Sequence, residues 1–121
     1  MATTARITGY TLPGNAGEDS FDLLPALQGT ATKPIREAVV HHSSEGMFSL
    51  RQGEWKLELG LGSGGFSPPV TVEPEPGGPQ GQLYNLTNDP TESDNLWLKH
   101  PEVVARLTAL LHRYQEQGHS R

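Results

Sequence analysis

Hydrophobic and polar positions alternate most regularly in residues 54–59, where Trp55, Leu57 and Leu59 point one way and Lys56 and Glu58 the other. A two-residue period predicts an antiparallel strand with one wet face. Just upstream, Phe48 and Leu50 alternate with Ser49 and Arg51, so residues 47–51 read as a second strand. Gln52-Gly53 supplies the hairpin turn between them, with Gly53 taking a positive φ. Val39 and Val40 centre a further strand over residues 36–43, and Ser44-Glu45-Gly46 turns it into its neighbour. Residues 82–86 read as the fourth strand.

The helical period appears once at length. Val103, Val104, Leu107, Leu110, Leu111 and Tyr114 fall on one side of a helix over residues 101–117. Pro101 suits its first position, Glu102 its positive end, and Gly118 its stop. At 1.5 Å per residue it is about 25 Å long, enough to cover one sheet face. Asp89-Pro90-Thr91-Glu92 carries a helix-start pattern, an Asp cap with Glu three positions on, and predicts a short turn. Residues 1–10 predict a helical turn ending at Gly9. Residues 11–27 predict a loop and one helical turn that tucks Leu23, Leu24 and Leu27 against a neighbour. The reading is an α+β fold: an antiparallel sheet of three to four strands packed against one C-terminal helix. It divides into a loop-rich segment, residues 1–35, and a sheet-and-helix subdomain, residues 36–121.

Composition narrows this further. The chain has 121 residues, room for one modest domain, and is only 34% hydrophobic. Its 14 glycines and 10 prolines make it loop-rich, most of all in residues 60–81. A loop of that length in a small domain is functional or disordered. The formal charge is −5 and the basic residues are scattered, which excludes a phosphate-neutralising surface and hence nucleic acid. No apolar run approaches the ~20 residues of a membrane span, and MATTARITGY has no apolar core of a signal peptide. With no cysteine there are no disulfides and no thiolate chemistry.

Each chemical motif meets a physical objection. Gly60-Leu61-Gly62-Ser63-Gly64-Gly65 matches a dinucleotide-binding pattern, but Phe66-Ser67-Pro68-Pro69 cannot open the helix that would receive a pyrophosphate. His41 and His42 are adjacent on a strand and project to opposite faces, so they do not chelate one metal. Ser43 and Ser44 have no following helix to form an oxyanion hole. Asn85-Leu86-Thr87 is a glycosylation sequon lying across a predicted strand and is best read as chance.

Several stretches together resemble the C-terminal part of an arylsulfatase-type sulfatase. They are GEDSFDLLPALQG at residues 17–29, His41-His42-Ser43, Phe48-Ser49-Leu50-Arg51-Gln52-Gly53, Trp55-Lys56-Leu57, Gln82-Leu83-Tyr84-Asn85-Leu86, Asp89-Pro90, Glu92 and Asn95-Leu96. The resemblance implies a four-stranded antiparallel sheet with a helix on it. It places the family's chemistry, a formylglycine made from Cys or Ser in a C/S-x-P-x-R motif and a calcium site, in a separate catalytic domain. The nearest serine version here, Ser67-Pro68-Pro69-Val70-Thr71, ends in Thr instead of Arg. No catalytic residue, metal ligand or cofactor is therefore expected in this chain.

In related enzymes this subdomain borders the substrate cleft. His41, His42 and the loop 62–66, with Gly64, Gly65 and Phe66, are by resemblance the candidate rim. The expected function is that of a structural and substrate-rim subdomain, truncated or separately encoded and inactive alone. The alternatives are one half of a sulfatase completed by a second polypeptide, or a binding module for sulfated sugars. Scattered basic residues disfavour the last, because sulfate recognition favours arginine clusters. The expected partners are a sulfatase catalytic domain or a second copy, met through an apolar patch on the sheet face that the helix leaves uncovered. Family members are often periplasmic, secreted or lysosomal.

Overall fold

The computed structural model describes residues 1–120. The chain forms two compact units, one of Met1–Glu37 with the chain from Tyr114 onward, the other of Ala38–Arg113.

In the first unit, α1 (Ala2–Thr8) ends at Gly9, whose φ of 71° lets Tyr10 N–H reach back to the Ala5 carbonyl at 2.9 Å. α2 (Leu24–Leu27) is the single predicted turn, with Pro25 near its start. The two are held by polar contacts: Leu23 N–H donates to Thr3 Oγ1 at 2.9 Å, and Ala2 N–H to Ser20 Oγ at 2.8 Å. Leu23 and Leu27, expected to be tucked away, are 41% and 74% exposed. A four-residue helix has too few faces to bury every leucine on it.

The second unit contains the sheet. β1 (Val39–His42), β2 (Phe48–Gln52), β3 (Trp55–Glu58) and β4 (Gln82–Asn85) lie in chain order, each antiparallel to the next. The β2–β3 hairpin pairs Gln52 with Trp55, so the two turn residues are Gly53, at φ 58°, and Glu54. The sequence places that turn one residue earlier. Val40, Leu50, Leu57 and Leu83 fall in register across all four strands. Helix α3 (Pro101–Gln117) begins in this unit. Leu50, Leu57, Leu83, Leu107 and Leu111 are fully buried and make the core, each contributing about 2 kcal/mol by removal from water.

The opposite sheet face is not as expected. Alternation puts Val39, Arg51, Lys56 and Tyr84 in one row and His41, Ser49, Glu58 and Gln82 in the next, so this face is mostly polar, with Val39 at its edge, and offers no broad apolar patch. Nor is it fully wet: Lys56 and Glu58 side chains are each 17% exposed. Gly62, Ser63, Pro68 and Pro69, with the turn at Thr91-Glu92, line a cleft over it, which local alternation does not foretell.

Candidate functional site

The predicted rim residues gather at one end of the sheet. His41 and His42 close β1, exposed and on opposite faces as the strand period requires. His42 shares the face of Phe48, with ring centroids 6.0 Å apart, and its Nδ1 donates to the Ser43 carbonyl at 2.8 Å. The glycine loop is pinned to the turn that follows. Glu45 N–H donates to the Gly64 carbonyl at 3.3 Å, and Gly64 N–H to the Val70 carbonyl at 2.8 Å. Gly64 is buried at φ 63°, and a Cβ there would meet Ser43 Oγ at 2.7 Å, so only glycine fits. Gly65 passes Ser44, and Phe66 at the loop tip is 99% exposed. The arrangement ties the glycine loop, with its bare Phe66 ring, to the turn that follows the two exposed imidazoles.

Residues that sequence reasoning did not single out build the polar face. Lys56 Nζ contacts Glu58 at 2.9 Å and Glu92 at 2.7 Å. Burial alone would lower the Lys56 ammonium, but hydrogen bonds to Glu92 and Glu58 outweigh it and hold it above the ordinary lysine range. Gln82 Nε2 donates to Glu58 at 2.9 Å and to the Gly60 and Gly62 carbonyls at 3.0 Å, while its Oε1 accepts Tyr84 OH at 2.7 Å. Burial, and then the negative Glu58 and Glu92, push the Tyr84 phenol up. The resulting cleft of about 440 Å³ has its polar groups turned on one another, which suits anchoring the loop 60–81 more than binding a ligand.

A second cleft of about 590 Å³ opens at the hairpin end, where Trp55 and His100 rings lie 5.2 Å apart beside Asn88 and Asp94. Asp89 in its wall is fully engaged by its own turn. Backbone N–H of Asp94, with Ser93 and Thr91 hydroxyls, holds its carboxyl at about 2. The short turn expected there forms, with Glu92 N–H donating to the Asp89 carbonyl at 3.2 Å, and no helix follows it. Glu92 sits at φ 57° and turns its carboxylate to Lys56 instead of back to the Asp89 amide. Asn85 of the sequon is buried and accepts Thr87 N–H at 3.1 Å.

Among the described residues no three His, Asp or Glu side chains converge to hold a metal ion, and no cysteine exists to become formylglycine. Ser67, of the nearest serine motif, lies in the exposed proline loop and its carbonyl accepts a hydrogen bond from Ser63 Oγ.

No family model matches the chain. An N-acetylgalactosamine-6-O-sulfatase of Bacteroides thetaiotaomicron is 31% identical over 112 residues, 92% of this chain and 21% of that protein. A solved structure described in connection with the metabolism of multiple glycosaminoglycans by the same organism superimposes with a TM-score of 0.75 at 29% identity, over 95% of this chain and 24% of that one. Another, solved with its substrate D-glucosamine-2-N,6-O-disulfate, gives 0.67 at 20% identity over 96% of this chain and 23% of its own, and supports the fold alone. The chain thus spans about a fifth of the relative it matches, 21% of its length. The matched segments lie in the C-terminal region of those chains. By sequence and by fold, this chain matches the small C-terminal subdomain of sulfatases.

Proposed function

We propose that the chain serves as the structural and substrate-rim subdomain of a sulfuric ester hydrolase acting on a sulfated glycan, and that it does not hydrolyse sulfate esters by itself. The single observation behind this is the 31% identity to an N-acetylgalactosamine-6-O-sulfatase over 92% of the chain. The nucleophile, calcium and leaving-group acid belong to the catalytic domain of such an enzyme, which is the proposed partner. This chain contributes shape: Phe66 offers a ring face for stacking on a sugar, the glycines beside it admit close approach, and His41 and His42 offer ring N–H donors.

A chimera tests the proposal. The matching C-terminal region of the Bacteroides relative is replaced by this chain, and hydrolysis of a 6-O-sulfated N-acetylgalactosamine is followed. The chimera is expected to turn over, with Phe66→Ala and His42→Ala each raising KM several-fold and leaving kcat nearly unchanged. Hydrolysis by the isolated chain at a comparable rate would overturn the structural role. Unchanged KM in both variants would remove the rim role.

A further inference from the structure

The hydrogen-bond phase of the sheet fixes which backbone groups point outward. In an antiparallel pair, residues exchange both bonds at every second position. Leu59 N–H donates to the Phe48 carbonyl at 2.9 Å, so Phe48, Leu50 and Gln52 direct their backbone groups to β3. Ser43 N–H donates to the Met47 carbonyl at 2.9 Å, so Ser49 and Arg51 direct theirs to His41 and Val39. The N–H and C=O of Val40 and His42 are thereby aimed away from the sheet.

The two sheet edges are treated differently. On β4 the same phase leaves Leu83 and Asn85 facing outward, and both are covered. Asn95 Oδ1 accepts Leu83 N–H at 3.0 Å, Leu96 N–H donates to the Leu83 carbonyl at 2.8 Å, and the Asn85 carbonyl accepts Asp89 N–H at 2.8 Å. Among the described residues nothing does this for Val40 or His42. β1 also lacks the lysine, proline or bulge that blunts an open edge, and Val39, His41 and His42 are exposed on it.

We propose that β1 is a dimerisation edge whose occupant is a second copy of this chain, added antiparallel about a two-fold axis at His41. That register sets Val40 against the copy's His42 and His42 against the copy's Val40, so every outward donor meets an outward acceptor and two four-stranded sheets become one. The edge is self-complementary because its two outward residues are symmetric about His41. It carries no Asp, Glu, Lys or Arg side chain, so two copies meet there without opposing those charges although each bears a formal −5.

Sedimentation of the 121-residue chain over a wide concentration range at neutral pH is the test. A reversible monomer–dimer equilibrium is expected. His42→Pro deletes an outward N–H and leaves the β1–β2 bonds intact, and is expected to weaken association at least about tenfold. His42→Ala, which keeps the N–H, is expected to associate normally. In the unaltered chain, hydrogen exchange at the Val40 and His42 amides is expected to slow as concentration rises through the dimerisation range. A chain still monomeric at millimolar concentration overturns the proposal. So does a dimer that survives His42→Pro and yields to Leu98→Ser, since Leu98 lies in an apolar groove beside α3. If His42→Pro does not fold, exchange at those two amides decides, and concentration-independent exchange overturns the proposal.

Discussion

Lys56 Nζ lies 2.8 Å from one carboxylate oxygen of Glu92 and 2.7 Å from the other, a bond that ties β3 to a turn 36 residues further along the chain. The same Glu92 has a φ of 57°, a backbone state that glycine enters freely and glutamate does not. The side-chain contact therefore holds a strained residue in place. Glu92→Ala is expected to cost about 1–2 kcal/mol, the half-buried pair being worth more than an exposed one and less than a buried one. Glu92→Gly loses the same pair but relieves the backbone, and is expected to be about 1 kcal/mol more stable than Glu92→Ala. Urea denaturation of the two variants checks the order. An alanine variant at least as stable as the glycine variant contradicts it.

Asn95 closes the β4 edge with three bonds. Its Oδ1 accepts from Leu83 N–H and Trp97 N–H at 3.0 Å, and its Nδ2 donates to the Gly81 carbonyl at 3.0 Å. Asn95→Ala leaves these groups half-buried without partners and is expected to cost about 2–3 kcal/mol. Asn95→Asp keeps the acceptor and loses the donor, so its denaturation midpoint is expected between the two.

Gly81 is needed for space and not for backbone freedom. A Cβ there would overlap the Glu58 carbonyl and come within 2.5 Å of the Trp97 ring. Gly81→Ala is expected to destabilise by about 1–3 kcal/mol, and a Gly81→Ala, Trp97→Leu pair to regain only part, since the carbonyl remains. Phe66→Ala, at a side chain 99% exposed, is expected to stay within about 0.5 kcal/mol of the parent. Thermal melts of the three variants test this contrast.

Acid and alkali act on different residues. The Asp89 carboxyl is held at about 2 by the Asp94 backbone N–H and the neighbouring hydroxyls. An unfolded aspartate titrates near ~3.9, so the unfolded chain binds this proton first. The contribution is complete above that range and is lost as pH falls towards about 2. Asp89→Asn is expected to flatten the stability profile in that window. At the other end, Lys56 and Tyr84 are both raised. Their unfolded forms lose protons first, so stability is held below about 10 and declines above it. Tyr84→Phe is expected to reduce that alkaline decline. Denaturant titrations across pH read both effects.

The hairpin, the last strand and α3 were legible because each depends on neighbours in sequence. Trp55, Lys56, Leu57 and Glu58 alternate, and Leu107, Leu110, Leu111 and Tyr114 share a helical stripe. What was not legible depends on partners far along the chain. Asp89-Pro90-Thr91-Glu92 announces its short turn, but not that Lys56, on another strand, captures Glu92. The polar sheet face reads as wet until Gly62, Ser63, Pro68 and Pro69, with the turn at Thr91-Glu92, close over it. Of the candidate rim, the opposed directions of His41 and His42 followed from the strand period. The glycines hinted at a close approach, but only the fold shows that Gly64 passes against Ser43.

The most direct measurement is steady-state kinetics of the chimera in which this chain replaces the matching region of the Bacteroides sulfatase. A subdomain that completes the fold and lines the substrate cleft predicts a working enzyme whose KM for the sulfated sugar rises several-fold on Phe66→Ala with kcat nearly unchanged. A folded chimera whose KM and kcat are both indifferent to Phe66→Ala and His42→Ala would contradict the account.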